Sequence, residues 1–454
     1  MRIALAEGAG ECRNFRSAPP RTTAGSRTPI ILVQNIRRWF QGNYHSHFIE
    51  RMFQPAPSQH PETTRLTPMI TRREMLIASG GLVIAGGNLS STTTLAADTE
   101  KQLVFHSTAP NNAEPELADL VQSWITPTKH FYVRSHAPNP VIDPESFQLK
   151  VEGMVNRPSS LTLKSLRRFK SHSITATLTC AGNRRSEYNS EGKVGGVQWQ
   201  SGAIGNANWQ GIALADVLKE SEVTPDAKHV WFEGLDEIEK GGGIIPFGGS
   251  IPIAKAMIGS GPGAPLLAHQ MNDEPLTADH GFPLRTVVPG YIGARSVKWL
   301  GRIVVSDRPS PNHYVATAYK IVKKTDPIDW AESGPIYRYP INAAICTPQP
   351  NASLTAGEID LTGYVLPSGR PGCAVEKVLI SADQGKSWVK AEMVGKDSEF
   401  CWQLWKAKVN VTTGTQRLIV KAIDHSGSFM PARVPWNAKG YLQNSWYRLP
   451  VEVN

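Results

Sequence analysis

Hydrophobic and polar positions alternate in many short runs from residue 131 onward, and each run predicts a strand with one buried face. Such runs lie at 147–153 and 228–233, with more continuously apolar ones at 174–178, 265–269 and 286–288. A strand over 297–305 is interrupted near Gly301, and a short one over 131–138 runs into a proline-limited loop. Helical spacing is brief. It covers 115–124, with a proline in the tolerant first turn, 162–169, opened by Thr162 as N-cap, and 212–218. The glycine- and proline-rich stretch 246–252 reads as a loop before a helical turn. From 343 onward strands dominate, at 358–365, 375–381, 416–423 and 446–453, with a hairpin turn at 383–387. The pattern predicts an α+β region followed by an all-β sandwich. The sandwich is immunoglobulin-like in its strands but lacks the cysteine and tryptophan spacing of a true immunoglobulin domain.

Length adds little, since 454 residues are ample for two or three domains. Charge adds more. The net charge is +9, but residues 1–97, with 11 arginines, 5 glutamates and no lysine, supply +6 of it. The remainder is nearly balanced, which argues against a nucleic-acid partner and favours local positive charge aimed at a small anion. Residues 1–68 lack sustained periodicity and read as disordered, or as an extension upstream of a true start at Met69. Residues 69–97 read as a signal peptide of the twin-arginine type. They hold Arg72 and Arg73, a short glycine-broken apolar stretch, and a small-residue end at Ala96 and Ala97. That stretch is too short to span a bilayer, and no later segment is a membrane-span candidate. Export in the folded state raises the expectation of a complex cofactor.

The five cysteines, Cys12, Cys180, Cys346, Cys373 and Cys401, form no CxxC or CxxCH motif, and their spacing demands no disulfide. Cys180 stands out. It follows the apolar run 174–178 in the stretch 177–185, Thr-Leu-Thr-Cys-Ala-Gly-Asn-Arg-Arg. A thiolate beside fixed positive charge suits a metal or a bound anion. A half-buried structural cysteine at a strand end, followed by a turn with solvated arginines, fits the same spacing.

Taken in order, the motifs resemble the molybdenum-containing sulfite oxidase family. They are 132–136 (Tyr-Val-Arg-Ser-His), 178–185, 232–235 (Phe-Glu-Gly-Leu) and 279–285 (Asp-His-Gly-Phe-Pro-Leu-Arg). The set continues with 288–295 (Val-Pro-Gly-Tyr-Ile-Gly-Ala-Arg), 297–301 (Val-Lys-Trp-Leu-Gly) and 436–440 (Trp-Asn-Ala-Lys-Gly). The resemblance covers nearly all of 128–454. It implies a molybdopterin-binding α+β domain over 98–340 and an immunoglobulin-like dimerisation domain over 341–454. It implies that the Cys180 thiolate ligates molybdenum beside the dithiolene of one pyranopterin, a soft donor for a sulfur-held metal. Arg134, Arg185 and Lys439 are then the cations that meet the substrate oxyanion, Trp199 a pocket wall, and Tyr319 the active-site hydroxyl. His136, His280, Arg285 and Lys298, with the loop Phe247, Gly248, Gly249 and Ser250, hold the pterin and its phosphate. Two positions depart from the pattern. Ala318 replaces an acidic residue before the tyrosine, and Lys439 replaces an arginine whose rigid fork lysine cannot reproduce.

The resemblance implies a periplasmic enzyme that oxidises sulfite to sulfate by oxygen-atom transfer, working as a homodimer. Neither His-Pro-Gly-Gly nor CxxCH occurs, so no haem is expected in this chain, and a separate c-type cytochrome is the expected electron acceptor. A sulfane dehydrogenase subunit of a sulfur-oxidising complex, or a molybdopterin enzyme acting on other S- or N-oxides, is the alternative expectation.

Overall fold

The strand that leads to Cys180, Ser171–Thr179, runs along the edge of a sheet, and the C-terminal domain covers its outer side. On the inner side it pairs antiparallel with Ile204–Ala213 along its whole length. That strand pairs with Leu266–Met271, which also pairs with Glu274–Pro275 and Arg285–Val287. On the outer side the Thr177 amide donates to the Phe400 carbonyl (3.0 Å), and the Trp402 amide donates to Thr177 Oγ1 (2.8 Å). The computed structural model describes residues 103–323, 329 and 333–454; the readings placed on 1–68 and 69–97 fall outside the described residues.

A second five-stranded sheet completes the α+β part. Its order is Gly248–Pro252, His229–Gly234, Leu300–Ser306, Gln148–Gly153 and Ser159–Thr162, antiparallel except where Leu300–Ser306 meets Gln148–Gly153. Alternation in 147–153 sends Leu149 and Val151 into a core with Phe232, Ile251 and Ile303. A small sheet of Val104–Thr108, Asn111–Glu114 and Val133–Arg134 brings Arg134 to the site.

The C-terminal part is a two-sheet sandwich. One sheet holds Asn342–Thr347, Gly357–Leu366, Gln403–Val411 and Glu392–Val394, and the other centres on Tyr447–Val453, Arg417–Asp424 and Val375–Ser381. Its core is continuous with residues of the first part. Ala181, Ile204, Ile292 and Tyr319 cluster with Ile345, Leu361, Tyr364 and Trp402. Among the described residues, no helix is long and apolar enough to cross a membrane.

Several local expectations shift. The stretch 246–252 is not all loop, because Gly248–Pro252 is an edge strand paired with His229–Gly234. Its glycines lower strand propensity, yet a Cβ at Gly248 would sit 2.3 Å from Asn312 Cγ, so close packing selects glycine there. The helix expected over 212–218 begins later, at Leu214–Glu220, because Ile212 ends the long strand Ile204–Ala213. The helix over 162–169 is one turn, Leu163–Leu166, and Thr162 Oγ1 does accept from the Ser165 amide (3.1 Å). The interruption near Gly301 is a shift of register between Leu300 and Arg302.

Candidate functional site

Cys180 lies just past its strand, 8% exposed, with its Sγ accepting from the Gly182 amide at 3.4 Å. It opens onto a cavity lined also by Tyr132, Arg134, His136, Asp236, Phe247, His280, Arg285, Lys298 and Tyr319. Residues from five of the recognised motifs, together with Asp236, Phe247 and Tyr319, therefore meet in one concave space.

One end of the cavity carries buried positive charge. Arg285 donates to the carbonyls of His280 (2.9 Å), Ser296 (3.1 Å) and Thr286 (3.3 Å), and burial lowers its pKa to about 10. Lys298 Nζ donates to Ser135 Oγ and to the Asp279 carbonyl, both at 2.8 Å. Burial, then the nearby Arg285 charge, brings its pKa down to about 7. The Asp279 carboxylate is occupied by the amides of Asn111 (3.0 Å) and Asn139 (2.7 Å). Among the described residues, no ion pair joins Arg134, Arg285 or Lys298 to a carboxylate. Arg285 is buried and Arg134 and Lys298 are half-buried, and cations so placed without such partners favour an anion.

The histidines are neutral here. Burial, reinforced by Arg285, holds His280 down at about 4, and its Nε2 lies 3.2 Å from the Thr128 carbonyl. Burial, then Arg134 and Lys298, lowers His136 well below its ordinary value. His136 stacks on Phe247 at 4.8 Å and shares a 3.3 Å hydrogen bond with the Tyr319 hydroxyl. Burial raises the Tyr319 pKa, so its proton stays on at neutral pH. Arg134 Nη1 donates to Asn112 Oδ1 (3.0 Å) and to the Ser135 carbonyl.

Arg185 lies outside that lining but near enough for its charge to act on His136 and Tyr319. Its Nε donates to the Lys439 carbonyl (2.9 Å) and its Nη1 to the Val197 carbonyl (2.7 Å). Gly182 is needed there, since a Cβ would fall 2.5 Å from Arg185 Nη2. Lys439 lies near this guanidinium; burial first, then Lys240 and Arg185, lowers its pKa.

Six predicted residues do not line the cavity: Arg185, Lys439, Trp199, Gly248, Gly249 and Ser250. Trp199 is fully buried in the cluster that contains Cys180 and Tyr132, edge-on to His106 at 4.9 Å. Gly248, Gly249 and Ser250 face Asn312, Val297 and the Ser310 amide, so Phe247 alone of that stretch reaches the cavity. Sequence reasoning missed Asp236, whose Oδ1 accepts from the Phe247 amide at 3.0 Å and whose pKa burial raises. It also missed Tyr441, stacked on Tyr319. Each directly follows a recognised motif, and that adjacency was the available signal.

Two family models match. Residues 136–314 match an oxidoreductase molybdopterin binding domain, and residues 333–454 match a Mo-co oxidoreductase dimerisation domain. Chicken sulfite oxidase is 40% identical over 361 residues, 76% of this chain and 77% of that protein. Arabidopsis thaliana sulfite oxidase is 37% identical over 377 residues, 77% of this chain and 94% of that protein. This chain belongs to the sulfite oxidase family of molybdopterin oxidoreductases. The mitochondrial sulfite oxidase of Drosophila melanogaster is 40% identical over 366 residues, and the chain spans only 62% of that protein's length. The sulfane dehydrogenase SoxCD of Paracoccus pantotrophus shares the fold, with a TM-score of 0.65 over 82% of this chain and 96% of that chain, at 22% identity. The periplasmic, twin-arginine-exported address expected from Arg72 and Arg73 is corrected by these relatives. Highly similar proteins, from fly to human, are mitochondrial sulfite oxidases.

The residues in the cavity fit the family's cofactor. A soft, buried sulfur faces a space whose cations have no carboxylate partners, as a metal ligand beside a phosphate-bearing pterin requires.

Proposed function

We propose that this protein oxidises sulfite to sulfate by two-electron oxygen-atom transfer. When bound, the molybdenum–molybdopterin group supplies the redox chemistry and the transferred oxygen. Cys180 ligates the metal. Arg285, Lys298, His280 and His136 hold the pterin and its phosphate. Arg134, Arg185 and Lys439 attract and orient the oxyanion through charge and directed N–H donors. The Tyr319 hydroxyl, paired with neutral His136, keeps a proton at the edge of the reacting centre. The observation that carries the reading is the buried Cys180 thiol in one cavity with Arg134, Arg285 and Lys298.

The finer reading continues in the same terms. Electrons pass to a separate c-type cytochrome, the working unit is a homodimer made through 341–454, and the cofactor domain is 98–340. The test is steady-state turnover of the molybdenum-loaded protein with sulfite, using cytochrome c or ferricyanide as acceptor. Turnover, with loss of molybdenum in Cys180→Ser, is the expected result. A metal-loaded protein that reduces neither acceptor with sulfite refutes the reading. Activity on sulfane sulfur in its place establishes the alternative.

A further inference from the structure

We infer that Tyr441 is a positioning residue that locks the anion-binding arginine and the active-site tyrosine together. Its ring stacks on Tyr319, 5.1 Å between centroids and 18° between planes. The Arg185 guanidinium carbon lies 5.2 Å from the same ring, at cation–π distance. Arg295 in turn lies 5.8 Å from the Tyr319 ring. The result is a column of cation, ring, ring and cation.

The column is built from segments far apart in sequence. Arg185 opens the short helix Arg185–Ser190, Tyr319 caps Tyr314–Ala318, and Tyr441 belongs to a loop of the C-terminal domain. That loop is itself held. The Tyr441 amide donates to Asn437 Oδ1 (3.0 Å), while its carbonyl accepts from Asn437 Nδ2 (2.9 Å) and from the Tyr188 hydroxyl (3.2 Å). With Arg185 Nε and Nη1 committed to carbonyls and its guanidinium carbon 5.2 Å from the centroid of a fixed ring, Nη2 has little freedom left. A planar guanidinium held this way binds an oxyanion without first losing rotamer freedom. The C-terminal domain thereby contributes to the site through an aromatic ring, and not only through Lys439.

The inference rests on the sulfite reading, and sulfate binding separates the two. Calorimetry with sulfate on the full, cofactor-loaded chain reads anion affinity without turnover, and sulfite kinetics run in parallel. Tyr441→Leu is expected to weaken sulfate binding and to raise the sulfite KM, each about tenfold, as loss of a desolvated cation–π contact predicts. Tyr441→Phe keeps the ring and is expected to restore both to within about twofold of the wild type. A merely structural role would lower kcat through a smaller active fraction and leave KM in place. Tyr441→Met reads the same contact should the leucine variant not fold. Unchanged sulfate affinity in the aliphatic variants overturns the inference, as does a phenylalanine variant as weak as the leucine one, or a wild type that binds no sulfate. A wild type that binds sulfate through Tyr441 and Arg185, yet does not oxidise sulfite, overturns the functional reading alone.

Discussion

His280 shows what burial does to one residue of the site. Its ordinary pKa is 6.5, and in the fold it is about 4. Between those values the unfolded chain binds more protons than the folded one. The contribution of His280 to stability is therefore full above pH 6.5 and is lost as pH falls toward 4. Burial shifts His136 in the same direction. The melting temperature of cofactor-free protein is expected to drop across that window, with a shallower slope in His280→Gln. Equal slopes for the two proteins refute this account. The sequence marked both histidines by motif, but it did not reveal their charge state. That depends first on burial in the fold, and then on the neighbouring Arg134 and Arg285 and on Lys298, which arrives from another segment.

At the scale of elements, the loop 437–441 governs how Arg185 sits. Gly440 has φ of +58°, and a Cβ there would lie 2.7 Å from Arg185 Cγ and 3.0 Å from Val194 Cγ2. Gly440→Ala is expected to cost about 1–2 kcal/mol from the left-handed backbone alone, and to raise the sulfite KM by shifting Arg185. Paired thermal melts and kinetics check it; a variant with wild-type KM removes the loop from substrate binding. Strands were legible where alternation was clean, as at Val375–Ser381. The long strand Ile204–Ala213 was hidden because buried Asn206 breaks the apolar pattern. Its amide donates to the Trp124 carbonyl (3.1 Å) and its Oδ1 accepts from Thr177 Oγ1 (3.0 Å), so burial is satisfied by side-chain bonds that no local window displays.

At the scale of the molecule, the two arginines after Cys180 divide their labour. Arg185 is the one assigned to the oxyanion in the proposed function, while Arg184 joins the two domains. Arg184 is fully buried, with φ of +67°. Its Nη1 donates to Asn342 Oδ1 (2.8 Å), its Nη2 to the Ser445 carbonyl (2.8 Å), and both Nε and Nη2 meet Glu187. Arg184→Met leaves Glu187 and two C-terminal acceptors unpaired, and an expected loss of about 3 kcal/mol follows, because Glu187 keeps some solvent. Urea unfolding measures it. A loss below about 1 kcal/mol, the scale of a surface pair, disproves the staple.

By itself the sequence determined the strand-rich C-terminal domain and the family motifs, and it singled out Cys180. Alternation records which face of a strand is buried, and motif spacing records local chemistry. Only the tertiary structure decided that Arg184 bridges to the C-terminal domain, that 248–252 is a strand, that Trp199 lies behind the cavity wall, and that Tyr441 closes on Tyr319 and Arg185. The first and last of those outcomes depend on contacts between residues more than a hundred positions apart, as when Arg185 meets the carbonyl of Lys439 across 254 positions. Cys180 links the two levels. Its type and neighbours are written in the stretch 177–185, whereas the cations that make its surroundings suit an anionic cofactor are assembled only by the fold.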